Sequence, residues 1–201
     1  MKSRAYHSVE QCAGAGEGRY METTGDVITA ADADIGALQL GVSSCEIVFD
    51  SRTEVRNLAA ALAGQAQQRL LLHTYDLEPV IFDQQPFLDA VQAMVRGHRD
   101  SCFFILLQDG RSAVQDGNRL IELSRRLSSR IQVRRPQAEY LDFGETFLLA
   151  DNGGYLHRPL YSRYEGTASF NNPGTTRRLE QYFKEVWERS QPDVEMRRLH
   201  L

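Results

Sequence analysis

Six consecutive apolar residues, Cys102-Phe103-Phe104-Ile105-Leu106-Leu107, constrain the fold more than any other stretch of the chain. A strand with one wet face alternates apolar and polar side chains, whereas one that is apolar throughout has both faces covered. Leu70-Leu71-Leu72-His73-Thr74-Tyr75 is a second run of the same kind, too short for a helix. Between and around them lie segments with helical spacing. Val55, Leu58, Ala59, Leu62 and Ala66 share a face behind the capping box Ser51-Arg52-Thr53-Glu54. Phe87, Leu88, Val91, Met94 and Val95 follow Pro86, with Gly97 as a stop. A third helix is expected from Val114 to Ser128, then a strand at Ile131 and Val133 that stops at Pro136. Strand, helix, strand, helix, strand is the order of crossover units. The expected fold is α/β, with a mixed, mainly parallel sheet and helices on both faces.

The 201 residues suggest one domain with tails. Residues 1–35 lack a sustained hydrophobic period and are expected to be a flexible segment. Gly14-Ala15-Gly16-Glu17-Gly18 has no Lys-Ser/Thr after it and does not make a phosphate loop. Residues 36–190 form the expected domain, entered by one or two strands between Gly36 and Asp50, and residues 191–201 form a polar tail. The net charge of −4 argues against a dedicated nucleic-acid binder. Cys12, Cys45 and Cys102 are odd in number and widely spaced, so neither a disulfide framework nor a zinc site is expected. No apolar run reaches the ~20 residues of a membrane span. The charged N-terminus has no apolar core behind it, and the expected location is cytoplasmic.

The later part of the chain differs. Phe147-Leu148-Leu149-Ala150 reads as a strand ending in Asp151 and an Asn152-Gly153-Gly154 turn. A polar connection rich in Arg and Tyr follows, then a second extended piece closing on Ala168-Ser169-Phe170-Asn171. A last amphipathic helix begins near Asn172-Pro173, with Leu179, Tyr182, Phe183, Val186 and Trp187 on one side.

An apolar strand ending in Asp, a Ser-x-Asn and a final helix with Phe183-x-x-x-Trp187 together resemble one half of the phospholipase D superfamily. More narrowly, the chain is similar to a gammaproteobacterial family of unknown function with that character, sometimes fused behind an acetyltransferase domain. The pieces that carry the likeness include Phe49-Asp50-Ser51-Arg52, Gln108-Asp109, Arg125 to Arg130, Leu148 to Asp151, Tyr164 to Ala168 and Val186 to Arg189. The resemblance implies a phospholipase D-like half-domain that descends from dimer-forming phosphodiesterases. Active members carry H-x-K-x-x-x-x-D and then Gly-Ser-x-Asn. The His forms a phosphohistidine, a second His protonates the leaving group, and the Lys steadies the phosphoryl oxygens.

With Asp151 aligned to the motif Asp, Gly144 occupies the His position and Thr146 the Lys position. The only lysines are Lys2 and Lys184, neither of them near. The resemblance therefore implies a non-catalytic binding or regulatory module with no cofactor or metal. Its candidate ligand residues are Thr146, Ser169, Asn171, His73, Arg158 and Arg163, set to hold a phosphate-containing or acidic ligand or a protein partner, with a homodimer among the partners. Each has a structural alternative. Ser169 and Asn171 are also the residue types that cap helices and satisfy turns, and His73 also suits a hydrogen-bonded, half-buried role. Two other functions stay open: a divergent phosphodiesterase using a relocated His73 or His157, and a nucleic-acid binder using Arg125, Arg126, Arg130, Arg134, Arg135, Arg158, Arg163, Arg177 and Arg178. The second is not favoured over solvated surface pairs.

Overall fold

Parallel pairing of the two apolar runs makes the middle of the molecule. A computed structural model describes residues 26–192 apart from Asp116. Residues 1–25 of the expected N-terminal segment and 193–201 of the expected tail, with Lys2, His7, Cys12 and His200, lie outside the described residues. β3 (Arg69–Thr74) pairs in parallel with β4 (Cys102–Leu107), and β4 with β5 (Ile131–Arg135). On the other side of β3 the chain adds β6 (Thr146–Ala150), β7 (Gly154–Arg158) and β8 (Gly166–Ser169), each antiparallel to its neighbour. β2 (Glu46–Phe49) follows β8, and β1 (Val27–Thr29) and β9 (Gln191–Pro192) form the edges.

The architecture is the expected mixed α/β sheet with helices on both faces. Parallel pairing does not dominate as expected: β1–β2, β3–β4 and β4–β5 are parallel, and the other five pairings are antiparallel. The extra antiparallel pairing arises because the polar connection after Asp151 is itself a strand, β7. Polar His157 and Arg158 conceal its pattern, which otherwise buries Gly154, Tyr155 and Leu156.

Alternation sorts each strand between two cores. Leu70, Leu72, Phe103, Ile105, Leu107, Leu148, Ala150 and Leu156 face one side. There they meet α1 (Arg52–Gln65), α3 (Gln85–Gly97) and α5 (Arg119–Arg126). Leu71, Leu106, Phe147, Leu149 and Tyr155 face the other, under α6 (Pro173–Arg189), which packs over β7, β6 and β3 through Leu179, Phe183 and Val186. Both helix starts behave as their sequences require. Ser51 Oγ accepts from the Glu54 amide while Glu54 accepts from the Ser51 amide, and Asn172 Oδ1 accepts from Thr175.

Three local expectations differ from the structure. The helix expected over 114–128 is broken into α4 (Arg111–Gln115) and α5, since Gly117 takes φ +73° and the Asn118 side chain caps the second piece at Leu120. A short helix, α2 (Pro79–Phe82), stands between β3 and α3, where the sequence announces no element. Residues 26–35, read as part of a flexible segment, supply β1. Ile28 is buried there by pairing with β2, a stabilisation that local periodicity does not register.

Gly166 marks the tightest crossing of the sheet. A Cβ there would stand 2.2 Å from the His157 carbonyl oxygen and 2.7 Å from the Phe49 ring. Backbone on one side and a buried ring on the other leave no room to yield. Gly166→Ala is expected to lower stability by about 3 kcal/mol, as overpacking does, read from the urea midpoint at unchanged m-value.

Candidate functional site

The β6–β7 hairpin decides what stands beside Thr146. Its register pairs Thr146 with Arg158, Phe147 with His157 and Ala150 with Gly154. The residue that returns beside Thr146 is therefore Arg158, and Ser169 lies elsewhere. Ser169 pairs with Tyr155, three rows further along and two strands over from Thr146. Strand spacings put the two on the order of 14 Å apart. They also point to opposite faces, Thr146 with Leu148 toward α1 and Ser169 with Tyr155 toward α6.

Thr146 is fully buried, and its hydroxyl has no hydrogen-bond partner among the described residues. The next residue of β3 beyond the His73–Phe147 pair is Thr74, equally buried and equally without a partner. Arg158 completes this row at 1% exposure. Its Nε donates to the Arg163 carbonyl at 2.7 Å, its other nitrogens donate to the Tyr161 carbonyl and to Glu78, and its guanidinium lies 5.0 Å from the Tyr164 ring centre. Burial pushes the Glu78 carboxyl up, and the hydrogen bond from Arg158 pulls it part of the way back. Arg158 thus folds the 159–165 connection onto the end of β7. Arg163 contributes its carbonyl to that clamp, while its exposed side chain sits 3.8 Å from Glu165.

The histidines lie on the other side of the sheet. His73 is buried among Phe143, Phe147 and Tyr182. Its Nδ1–H donates to the Glu145 carbonyl at 2.9 Å, which leaves Nε2 to accept from Gln108 at 3.4 Å, and Gln108 also donates to the Phe143 carbonyl at 2.7 Å. Burial holds the imidazole down at about 4, against a smaller upward pull from the Glu145 carbonyl. His157 Nε2 meets Glu145 Oε2 at 2.6 Å. Neither ring bonds Ser169 or Asn171. Both belong with Phe147 on the α6 side, so neither faces the side to which Thr146 points. Ser169 Oγ accepts from the Asn171 amide at 3.3 Å, the turn-satisfying role open to it from its chemistry.

Asp151 is a bracket. With φ +50° it turns its carboxylate back to accept from the amides of Gln67, Gln68 and Arg69, tying the start of β3 to the hairpin turn. Beside it, at the opposite end of the hairpin from Thr146, a groove of about 790 Å³ runs between the end of α1, α3 and the 151–153 turn. Of the six candidate residues only Asn171 lines it. The structure thus brings Thr146 and Arg158 into one row, with Arg163 joined to Arg158 through its carbonyl, and keeps Ser169, Asn171 and His73 apart from them. Glu78 and the groove residues Gln39, Gln65 and Gln67 carry no motif, and these and the contact of Gln108 with His73 are found only from the fold. Among the described residues no group of His, Cys, Asp and Glu is arranged to hold a metal ion.

The fold so defined is a mixed α/β domain, a nine-stranded sheet among the described residues with helices on both faces. The chain belongs to the family described as "Domain of unknown function (DUF7931)", whose model matches residues 51–199. No curated protein matches it in sequence. Among solved structures it is similar to TrmBL2, described as an archaeal chromatin protein with a novel mode of DNA binding, with TM-score 0.56 and 16% identity over 78% of this chain. It spans 56% of the length of that protein, and the likeness is one of fold alone. A weaker likeness, TM-score 0.47 at 13% identity, covers 69% of this chain and 90% of Nuc from Salmonella typhimurium, a phospholipase D family member.

The buried neutral His73 has a pH consequence. Its pKa is near 6.5 when unfolded and about 4 when folded, so the unfolded chain binds the extra proton first as pH falls. Stability is retained above pH 6.5 and declines between about 6.5 and about 4, by about 3 kcal/mol for this group. Urea titrations at pH 7 and pH 4 should show this loss, and His73→Asn should show a smaller difference between the two pH values.

Proposed function

We propose that this chain is a non-catalytic binding or regulatory module built on a phosphodiesterase scaffold. The observation that carries this reading is Thr146, sealed at 0% exposure on one face of the sheet while both nearby histidines, 73 and 157, occupy the other. A covalent mechanism that has lost its nucleophile loses most of its rate enhancement, and neither imidazole is aligned with a replacement cation. The reading as a divergent phosphodiesterase needs His73 or His157 in contact with Ser169 and Asn171, and the hydrogen bonds of both rings go elsewhere.

A phosphate ligand at the six candidate residues is less well supported than a neutral or protein partner. Arg158 is already engaged by Glu78 and two carbonyls, and His73 is buried and neutral. The nucleic-acid reading is also weakened. Arg130 and Arg134 donate to the carbonyls of Ser101 and Trp187, and Arg163 faces Glu165. No helix among the described residues is long and apolar enough to cross a membrane, and a cytoplasmic location belongs to the same proposal.

Incubation with bis-p-nitrophenyl phosphate tests the central point. The expected result is release of p-nitrophenol at the protein-free rate. Turnover that disappears in His157→Gln, or in Ser169→Ala and Asn171→Ala, would overturn the proposal. One further partner has a specific observation behind it. α6 packs over β7, β6 and β3, and Val48 on β2 stays 40% exposed on that face, which favours a second copy of the chain as its cover. Light scattering at micromolar concentration should give the dimer mass for the native chain and a lower mass for Val48→Arg; a monomeric native chain removes the idea.

A further inference from the structure

We infer that the groove beside Asp151 binds an uncharged, extended stretch of polypeptide through side-chain amides. This rests on the binding-module reading and names the chemistry of its ligand. At about 790 Å³ the groove falls within the ~300–1,000 Å³ of ordinary ligand clefts. Its lining is rich in carboxamides and poor in charge. Gln39, Gln65, Gln67, Asn152 and Asn171 all reach it, whereas Asp151 and His98 are the only titratable groups among its described lining residues.

Asp151 does not make the groove anionic in the ordinary way. Three backbone amides converge on its carboxylate at 2.8–3.0 Å, so its lone pairs are already directed inward. With no Lys or Arg among the described lining residues, none of them offers a phosphate or carboxylate a countercharge. No Phe, Tyr or Trp is among the described lining residues either, so none of them gives a sugar ring an aromatic face.

Amides do suit a peptide backbone, because one carboxamide donates to a carbonyl and accepts from an N–H in a single plane. The groove wall already contains this pairing. Gln65 Nε2 donates to the Leu38 carbonyl at 2.9 Å, and Gln65 Oε1 accepts from the Leu40 amide at 2.8 Å. One Gln therefore reads the backbone on both sides of residue 39. The carboxamides of Gln39, Gln67 and Asn171 make no hydrogen bond among the described residues and are left to do the same for an incoming chain. Asn171 is held close over the turn because Gly153 has no side chain. A Cβ there would stand 3.2 Å from Asn171 Oδ1.

The test is an NMR titration of the whole ¹⁵N-labelled chain, watching the side-chain NH₂ signals of Gln39, Gln67 and Asn171. The probes are the blocked hexapeptide acetyl-Gly-Ser-Ala-Gly-Ser-Ala-amide, tri-N-acetylchitotriose and inorganic phosphate. The expected result is saturable shifts of these signals with the peptide alone. Q67A combined with N171A should weaken that binding at least tenfold while the backbone spectrum remote from the groove is unchanged. Silence with the peptide overturns the inference, as does preference for the trisaccharide or for phosphate at these amides. Phosphodiester turnover would overturn the non-catalytic reading and leave the titration result standing, so the two failures are distinguishable.

Discussion

The register of the β6–β7 hairpin is the constraint on which the rest of the molecule depends. A slip of one residue turns every side chain of a strand to the other face. In the observed register Arg158 points toward α1, where Glu78 and the Tyr161 and Arg163 carbonyls take up its donors. One residue off, its charge would lie with Phe147 on the α6 side, away from Glu78 and the Tyr161 and Arg163 carbonyls. A buried guanidinium without its partner costs several kcal/mol. The clamp therefore selects the register as much as the register permits the clamp. At the other end of the hairpin Gly154 reinforces the choice, since a Cβ there would come within 2.5 Å of Leu40.

The same register keeps the candidate polar residues apart. A strand–turn–strand site works by returning its second leg beside the first. Here the second leg is β7, and it delivers an arginine whose donors are committed to structure. Ser169 and Asn171 belong to β8 and the turn after it, where they satisfy backbone and border the groove. Polar residues at the open end of the hairpin, Thr146 and Arg158, thus serve packing, and accessible carboxamides collect at its turn, around Asp151.

Most of the layer structure was legible because burial writes itself into strands and helices as period. The apolar runs at 70–72 and 102–107, the Ser51–Glu54 box and the Asn172-Pro173 start all act as their local chemistry demands. Three things were not legible. β7 carries His and Arg because its polar partners come from the distant residues Glu78 and Glu145. β1 is held by pairing across the sheet edge. The break between α4 and α5 depends on one glycine with positive φ inside an otherwise helical pattern. Of the site, the residue types at 144 and 146, Gly and Thr, could be read directly. The separation of Ser169 from Thr146 could not, since a linear motif does not state which strand makes the return.

Sequence by itself determined the α/β class, the two-sided core and the absence of His and Lys from positions 144 and 146, because residue type and periodicity are local properties. Only the tertiary structure decided that His73 and His157 look away from Thr146, that Arg158 is a clamp, and that five amides share a groove. Those are relations between strands and turns far apart in the chain, and they exist only once hydrogen-bond register has fixed which faces meet.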